Sequence, residues 1–426
     1  MDAMPGNSTT ASPRAGSSSF PFELTDLCVK CGLCAPHCPT YRLTGEEGES
    51  PRGRISLIQG LAAGQLEATP RMQEHLDNCL TCRSCERVCP AKVPFGQIID
   101  AGRDELRGRR GPGSISVRVV SFMSARPLLA RLALNFVRLS SAIGTGRLIR
   151  KLGLADRSWL FRALTRLNIT NRTRFGGKTY QAQDAEIGEI SLFTGCVART
   201  LDADTHQASL NVLNSIGYTV HVPPGQTCCG ALPLHDGDAR SAVNMARANE
   251  AAFGNDDSLV ISSATGCGAT LREYDRLLDG ESNCSINRRV VDISDFLSRR
   301  LPQIEPLLGA LDMRIALHKP CTTDHVSTGG DATSTLLGSI PGLQVEQLRG
   351  YGCCGAAGHH FLTRATQADA LVSPLLDEVE EYRPQYVVTT NPGCALHLAG
   401  GLAARGSEIS VIHPVGLVAL SLARST

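Results

Sequence analysis

Two stretches decide the architecture of this chain. They are Cys28-Val29-Lys30-Cys31-Gly32-Leu33-Cys34-Ala35-Pro36-His37-Cys38-Pro39 and, fifty-one residues on, Cys79-Leu80-Thr81-Cys82-Arg83-Ser84-Cys85-Glu86-Arg87-Val88-Cys89-Pro90. Both read C-x2-C-x2-C-x3-C-P, so the region is a duplication. Four thiolates converging from a chain that wraps this closely are what a cubane iron–sulfur cluster requires. In two-cluster proteins of this pattern the fourth cysteine of each run crosses to the other cluster. One [4Fe-4S] cluster is therefore expected on Cys28, Cys31, Cys34 and Cys89, and a second on Cys79, Cys82, Cys85 and Cys38. The proline after each final cysteine turns the chain away, its φ being fixed and its N–H absent. Structural zinc also accepts four thiolates, but zinc sites commonly use paired C-x2-C units without a third cysteine in the same run.

Working outward, Pro51-Arg52-Gly53-Arg54 leads into Ile55, Leu57, Ile58 and Leu61, an apolar spacing that predicts a helix between the two runs. The cysteine-bearing module is thus read as an α-helical ferredoxin domain over 21–108. Residues 1–20 are rich in Ser, Thr, Gly and Pro without an apolar run, and read as a disordered leader in place of a secretory signal. The whole chain has 426 residues and a formal net charge of +1, so no global field selects nucleic acid or acidic substrates. Charge is local instead. From Arg107 to Lys178 there are sixteen Lys and Arg against one acidic residue, Asp156. With Leu128, Leu129, Leu132, Phe136 and Leu139 at helical spacing, residues 109–187 are read as a basic helical linker suited to an anionic membrane surface or an acidic partner. No nucleic-acid recognition motif accompanies it, so no nucleic-acid partner is expected. No apolar run approaches the length of a membrane span.

The remainder carries a longer repeat, which constrains the fold more than local propensity does. Gly195-Cys196 and Pro320-Cys321 each follow an apolar run; Cys228-Cys229-Gly230 recurs as Cys353-Cys354-Gly355, and Gly266-Cys267 as Gly393-Cys394. Short β-rich runs alternate with helical stretches in both copies, which predicts two α/β Cys-Cys-Gly domains with parallel strands, over 188–310 and 311–426. The cysteines fall just after predicted strands, where open α/β sheets place their sites. Cys196, Cys228, Cys229 and Cys267 form one candidate metal or redox-thiol site, and Cys321, Cys353, Cys354 and Cys394 another; each could hold a further iron–sulfur cluster. His235, His318, His325, His359 and His397 lie near these motifs as candidate ligands. Cys284 has no counterpart and is read as a free thiol.

These residues together resemble the iron–sulfur subunits of bacterial glycolate oxidase and their relatives with heterodisulfide-reductase-type Cys-Cys-Gly domains. The resemblance rests on the two cysteine runs, on Pro39-Thr40-Tyr41, Pro51-Arg52-Gly53-Arg54-Ile55 and Leu80-Thr81-Cys82-Arg83, on Cys228-Cys229-Gly230-Ala231, and on Gly266-Cys267-Gly268 with Arg272-Glu273-Tyr274. Pro320-Cys321-Thr322 with His325, and Cys353-Cys354-Gly355 with Ala357-Gly358, extend it through the second copy. It implies an electron-transfer subunit of a glycolate (2-hydroxy-acid) dehydrogenase complex. FAD would lie on partner subunits, the acceptor would be a membrane quinone, and the protein would be cytoplasmic, peripheral to the inner-membrane face. No G-x-G-x-x-G fingerprint places a dinucleotide on this chain itself. Lactate and glycerol-3-phosphate dehydrogenases use similar electron-carrying parts, and a catalytic disulfide reductase is the other class considered. Against the latter, the positions that would complete a C-x2-C at each last motif are Thr270 and His397.

Overall fold

The computed structural model describes residues 20–111, 145–154, 157–166, 177–254, 257–280, 284–323 and 331–425, with isolated positions between 112 and 144. The basic helix expected around Leu128, Leu129 and Phe136 lies outside the described residues, as does His325. Within that stretch Leu132 and Leu139 are helical and exposed.

The N-terminal module is helical, and its longest pieces are the helices Pro51–Ala62, Pro70–Asp77 and Phe95–Arg110. Pro51 can start the first of these because a helix does not use the N–H of its first residue. Ser50 caps it, its hydroxyl accepting from the Gly53 N–H at 3.0 Å. Ile55, Ile58 and Leu61 then face Ile98, Ile99 and Leu106 of the third helix across one buried core.

Among the described residues, nine strands form two sheets. In the first, β1 (Lys178–Tyr180), β2 (Gly188–Phe193), β3 (Tyr218–Val222), β4 (Leu259–Ser262) and β5 (Val290–Asp292) lie in the order β1-β3-β2-β4-β5. In the second, β6 (Met313–Leu317), β7 (Leu343–Gln347), β8 (Tyr386–Val388) and β9 (Ser410–Ile412) lie in the order β7-β6-β8-β9. All pairings are parallel except β1 with β3. Without β1 the two sheets have one topology, so the repeat read from the cysteines is a repeat of fold. β1 itself falls in the 109–187 segment read as linker. The first sheet therefore begins at Lys178, ahead of the expected boundary at 188, because Lys178–Tyr180 closes the open edge of β3.

The two α/β units share an apolar core. Leu210, Leu213, Ile293 and Phe296 from the first meet Leu336, Val415 and Val418 from the second. A second part of the expected linker is likewise structural. The helix Trp159–Arg166 packs on the second unit, with Arg162 almost wholly buried, donating from Nε to the Phe361 carbonyl at 2.5 Å and pairing with Asp369.

Candidate functional site

In each α/β unit the chain runs from the first strand to one neighbour and then crosses to the other. This leaves a crevice beyond the carboxyl ends of β2 and β4, and of β6 and β8, where the strand order reverses. Cys196 follows β2 and Cys267 enters the helix Thr265–Arg272 after β4; Cys321 and Cys394 are placed likewise after β6 and β8. The vicinal pairs reach the same crevices because the glycine after each pair is left-handed, with φ of +90° at Gly230 and +77° at Gly355. A Cβ at Gly355 would stand 2.9 Å from Leu371 Cβ, so the third residue of the motif is small for space as well as for dihedral.

The thiols therefore form two short chains. Cys196 Sγ lies 3.3 Å from Cys228 Sγ, and Cys354 Sγ 2.9 Å from Cys394 Sγ. Thiol hydrogen bonding and burial raise Cys196 well above its usual range through Cys228, and raise Cys321 through Cys353. Metal-free, these groups are protonated at neutral pH, so a metal would bind by displacing protons. The two crevices lie face to face. The Thr265 N–H donates to the Thr390 carbonyl at 3.1 Å, and Thr322 Oγ1 donates to Thr265 Oγ1 at 2.9 Å.

In the N-terminal module, Cys38, Cys79, Cys82 and Cys85 line one small cavity with Arg54 and Phe95. Burial pushes Cys82 up to about 12 and raises Cys85 well above the usual thiol range, with Cys82, Cys79 and Cys38 among the neighbours that add to the rise at Cys85. Cys28, Cys31 and Cys34 share the other loop, where burial chiefly raises Cys34. Cys89 packs with Cys28 and Cys34 against the module's core. The backbone is bent the same way in both loops: Lys30 and Gly32 have φ of +57° and +86°, and Thr81 and Arg83, fifty-one residues on, have +49° and +55°. Three of these are not glycine, and each such position costs about 1–3 kcal/mol. A chain strained twice in register between converging thiols fits loops shaped to enclose a cluster.

Two arginines of the Pro51–Ala62 helix hold these loops, a role that sequence reasoning did not assign although it singled out the stretch. Arg52 Nη1 donates to the Lys30 carbonyl at 3.3 Å, and Arg54 Nη1 points at Cys38 Sγ from 3.8 Å. Arg54 is buried and paired with Glu49 at 2.5 Å, and its Nε donates to the His75 carbonyl. Gly53 between them is required for space, since a Cβ there would come within 1.9 Å of the Glu47 carbonyl oxygen.

The second cysteine set of this module abuts the second α/β unit. Leu80, Cys82, Cys353 and Leu371 form one buried cluster, joined at its edge by Cys321. Polar contacts fasten the module to both units: Arg83 pairs with Glu273, Arg107 with Asp238 at 2.9 Å, and Arg364 with Asp77 at 3.0 Å.

Of the candidate histidines, His318 lies in a thiol crevice, with a ring nitrogen and the Cys354 and Cys394 sulfurs all within 4.8 Å of one another. His235 pairs with Asp100 and His359 with Asp236, both across interfaces away from the thiols. His397 is fully buried, stacked on Phe361 and 3.6 Å from Asp369. Cys284 is buried and donates to Glu250 at 3.1 Å. Thr270, where a fifth thiolate would stand, hydrogen-bonds the Gly266 carbonyl inside its own helix.

Comparison with known proteins bears on this arrangement directly. Residues 25–93 match the family described as 4Fe-4S dicluster domain, and residues 190–272 and 315–399 each match the cysteine-rich domain family. The glycolate oxidase iron-sulfur subunit of Escherichia coli (strain K12) is 29% identical over 416 residues, 93% of each chain. The chain is a homologue of the glycolate oxidase iron–sulfur subunits. The probable glycolate oxidase iron-sulfur subunit of Bacillus subtilis (strain 168) is also 29% identical, over 92% of each chain. A fumarate reductase (CoM/CoB) subunit of Methanothermobacter marburgensis is 27% identical over 92% of this chain and 71% of its own length. This homologue of the glycolate oxidase subunits therefore combines an iron–sulfur dicluster domain with two cysteine-rich α/β domains, and its class is that of iron–sulfur electron-transfer components of oxidoreductases. Among the described residues no helix is long and apolar enough to cross a membrane.

Proposed function

We propose that this chain is the electron-transfer subunit of a glycolate (2-hydroxy-acid) dehydrogenase complex, carrying electrons from a flavin-bearing partner to a membrane acceptor such as quinone. The ligands proposed for the first cluster are Cys28, Cys31, Cys34 and Cys89, and for the second Cys79, Cys82, Cys85 and Cys38. The observation that carries the reading is the burial gradient between the two sets. Cys31 is exposed, with Val29 and Leu33 exposed beside it, whereas Cys82 is buried against the second cysteine-rich crevice. A surface set that receives and an inner set that passes onward is the order an electron relay needs.

Bound clusters would each accept one electron, dividing the pair that a flavin removes from a hydroxy acid. The protein's part is to fix the thiolates, exclude water from the inner set and set its potential through neighbouring charge. Substrate choice would rest with the flavin-bearing partner, where the hydroxy acid is oxidised. The basic segment 107–178 suits docking on the anionic inner-membrane face.

The test is to co-express the chain with the flavin subunits of a glycolate oxidase complex and add glycolate anaerobically while following cluster signals by electron paramagnetic resonance. Reduced-cluster signals that depend on glycolate support the reading. Flavin reduced by glycolate in a purified complex whose clusters stay oxidised would sink it.

A further inference from the structure

The two cysteine-rich crevices share a fold but not a donor set. Shifting the first unit by the repeat offset of 125 residues brings Phe193, at the end of β2, onto His318, just beyond the end of β6. Phe193 is buried in the first unit's apolar cluster beside Cys228 and Cys229. His318 is also buried, but among sulfur. Its ring and the sulfurs of Cys354 and Cys394 fall within 4.8 Å of one another, and all three residues are buried.

The imidazole is held by its far side. Nδ1 lies 3.0 Å from Thr389 Oγ1, at the end of the neighbouring strand. With Nδ1–H donating to that hydroxyl, the free lone pair is on Nε2, which is how metal-binding histidines are commonly oriented. The sulfur spacing is informative too. A single tetrahedral ion with bonds of about 2.3 Å to sulfur spans its thiolates at about 3.8 Å, so Cys354 and Cys394 at 2.9 Å need to part by about 0.9 Å, within reach of side-chain rotation. A cubane sets its four thiolates on four separate irons and holds them further apart.

We propose that the second cysteine-rich domain binds a single divalent transition ion through His318, Cys354 and Cys394, a mixed nitrogen–sulfur site that the first domain cannot form because Phe193 replaces the histidine. Imidazole and thiolate donors together suit zinc best among common ions, and three protein ligands leave one tetrahedral position for a fourth donor. This site stands on the geometry of the second crevice alone and does not depend on the electron-transfer reading.

The experiment uses the full-length chain, purified anaerobically with its iron and supplied with zinc, and measures X-ray absorption at the zinc edge, which is blind to iron. The expected result is one zinc per chain, with scattering from one imidazole and from sulfur. His318→Phe should lose more than nine-tenths of that zinc while iron and sulfide per chain stay unchanged, which also reports that the fold survives. His318→Cys should retain zinc with sulfur scattering only. Zinc retained in full by His318→Phe, an edge without imidazole scattering, iron that falls with the zinc, or a Cys354–Cys394 disulfide in the purified protein would each overturn the proposal.

Discussion

Replacing Arg54 by Met removes one charge beside the inner cysteine set and keeps much of the side-chain volume. Arg54 is 1% exposed and its guanidinium serves four groups: Glu49, Thr40 Oγ1 at 3.0 Å, the His75 carbonyl at 2.7 Å and Cys38 Sγ at 3.8 Å. Breaking a buried pair by removing one partner costs about 3–5 kcal/mol. The lower end is expected, because Glu49 keeps His75 at 2.8 Å and Asn78 at 3.0 Å. The electrical effect follows from Coulomb's law. At 3.8 Å and an effective dielectric of about 20, the charge–thiolate interaction is ~4.4 kcal/mol, or ~190 mV for one electron, as an upper bound. Losing a positive charge disfavours the reduced cluster, so the potential of the inner cluster should fall in Arg54→Met by tens of millivolts up to that bound. Arg54→Met combined with Glu49→Gln removes both charges and should shift it less. A potentiometric titration read by electron paramagnetic resonance measures both. An Arg54→Met protein with both clusters intact and an unmoved inner potential would refute the placement of Arg54 on the thiolate of that cluster.

Three further outcomes are expected. Gly53→Ala, which drives a Cβ into the Glu47 carbonyl, should lower the melting temperature and the iron retained on purification, whereas Gly108→Ala, with open space around it, should change neither. Buried His206 and His413, held by burial at about 4 and about 3, are neutral in the fold but protonate near 6.5 when unfolded. The unfolded chain therefore binds more protons between these values. Denaturation across a pH series should show each histidine lowering stability by up to about 1.4 kcal/mol per pH unit as pH drops from about 6.5 towards 4, offset in part by buried Asp202 and Asp292, whose carboxyls burial raises to about 6; a His206→Gln and His413→Gln double variant with the same pH slope as the parent would contradict their burial. Arg364→Ala removes donors to Asp77 and Asn78 at the seam between the dicluster module and the second domain. Because that pair is about a third exposed, the loss should be about 1 kcal/mol or less by chemical denaturation.

Much of the architecture was legible because cysteine spacing is a geometric code. The duplicated runs, the Pro51–Ala62 helix and the strands ahead of each repeated cysteine can all be read from period and offset. β1 could not be: Lys178–Tyr180 is three residues of mixed character at the end of a basic stretch, and only its pairing with β3 makes it a strand. The burial of Arg162 was hidden for a similar reason, since its partners Phe361 and Asp369 lie some two hundred residues away. At the candidate site, sequence reasoning weighed five histidines alike. The structure distinguishes the four described ones by what each ring faces, with Asp100 and Asp236 taking His235 and His359, Phe361 and Asp369 beside His397, and sulfur facing His318. Comparison of the repeat copies could have found this, because the offset that aligns the cysteines sets His318 against Phe193.

The most direct test of the central claim is iron and acid-labile sulfide per chain on anaerobically purified protein, with electron paramagnetic resonance before and after dithionite. About eight irons and a pair of spin-coupled [4Fe-4S] signals are expected, with Cys82→Ala abolishing the inner signal and Cys31→Ala the outer one. Zinc in place of iron on the N-terminal cysteines, or a single uncoupled cluster in the intact chain, would contradict it.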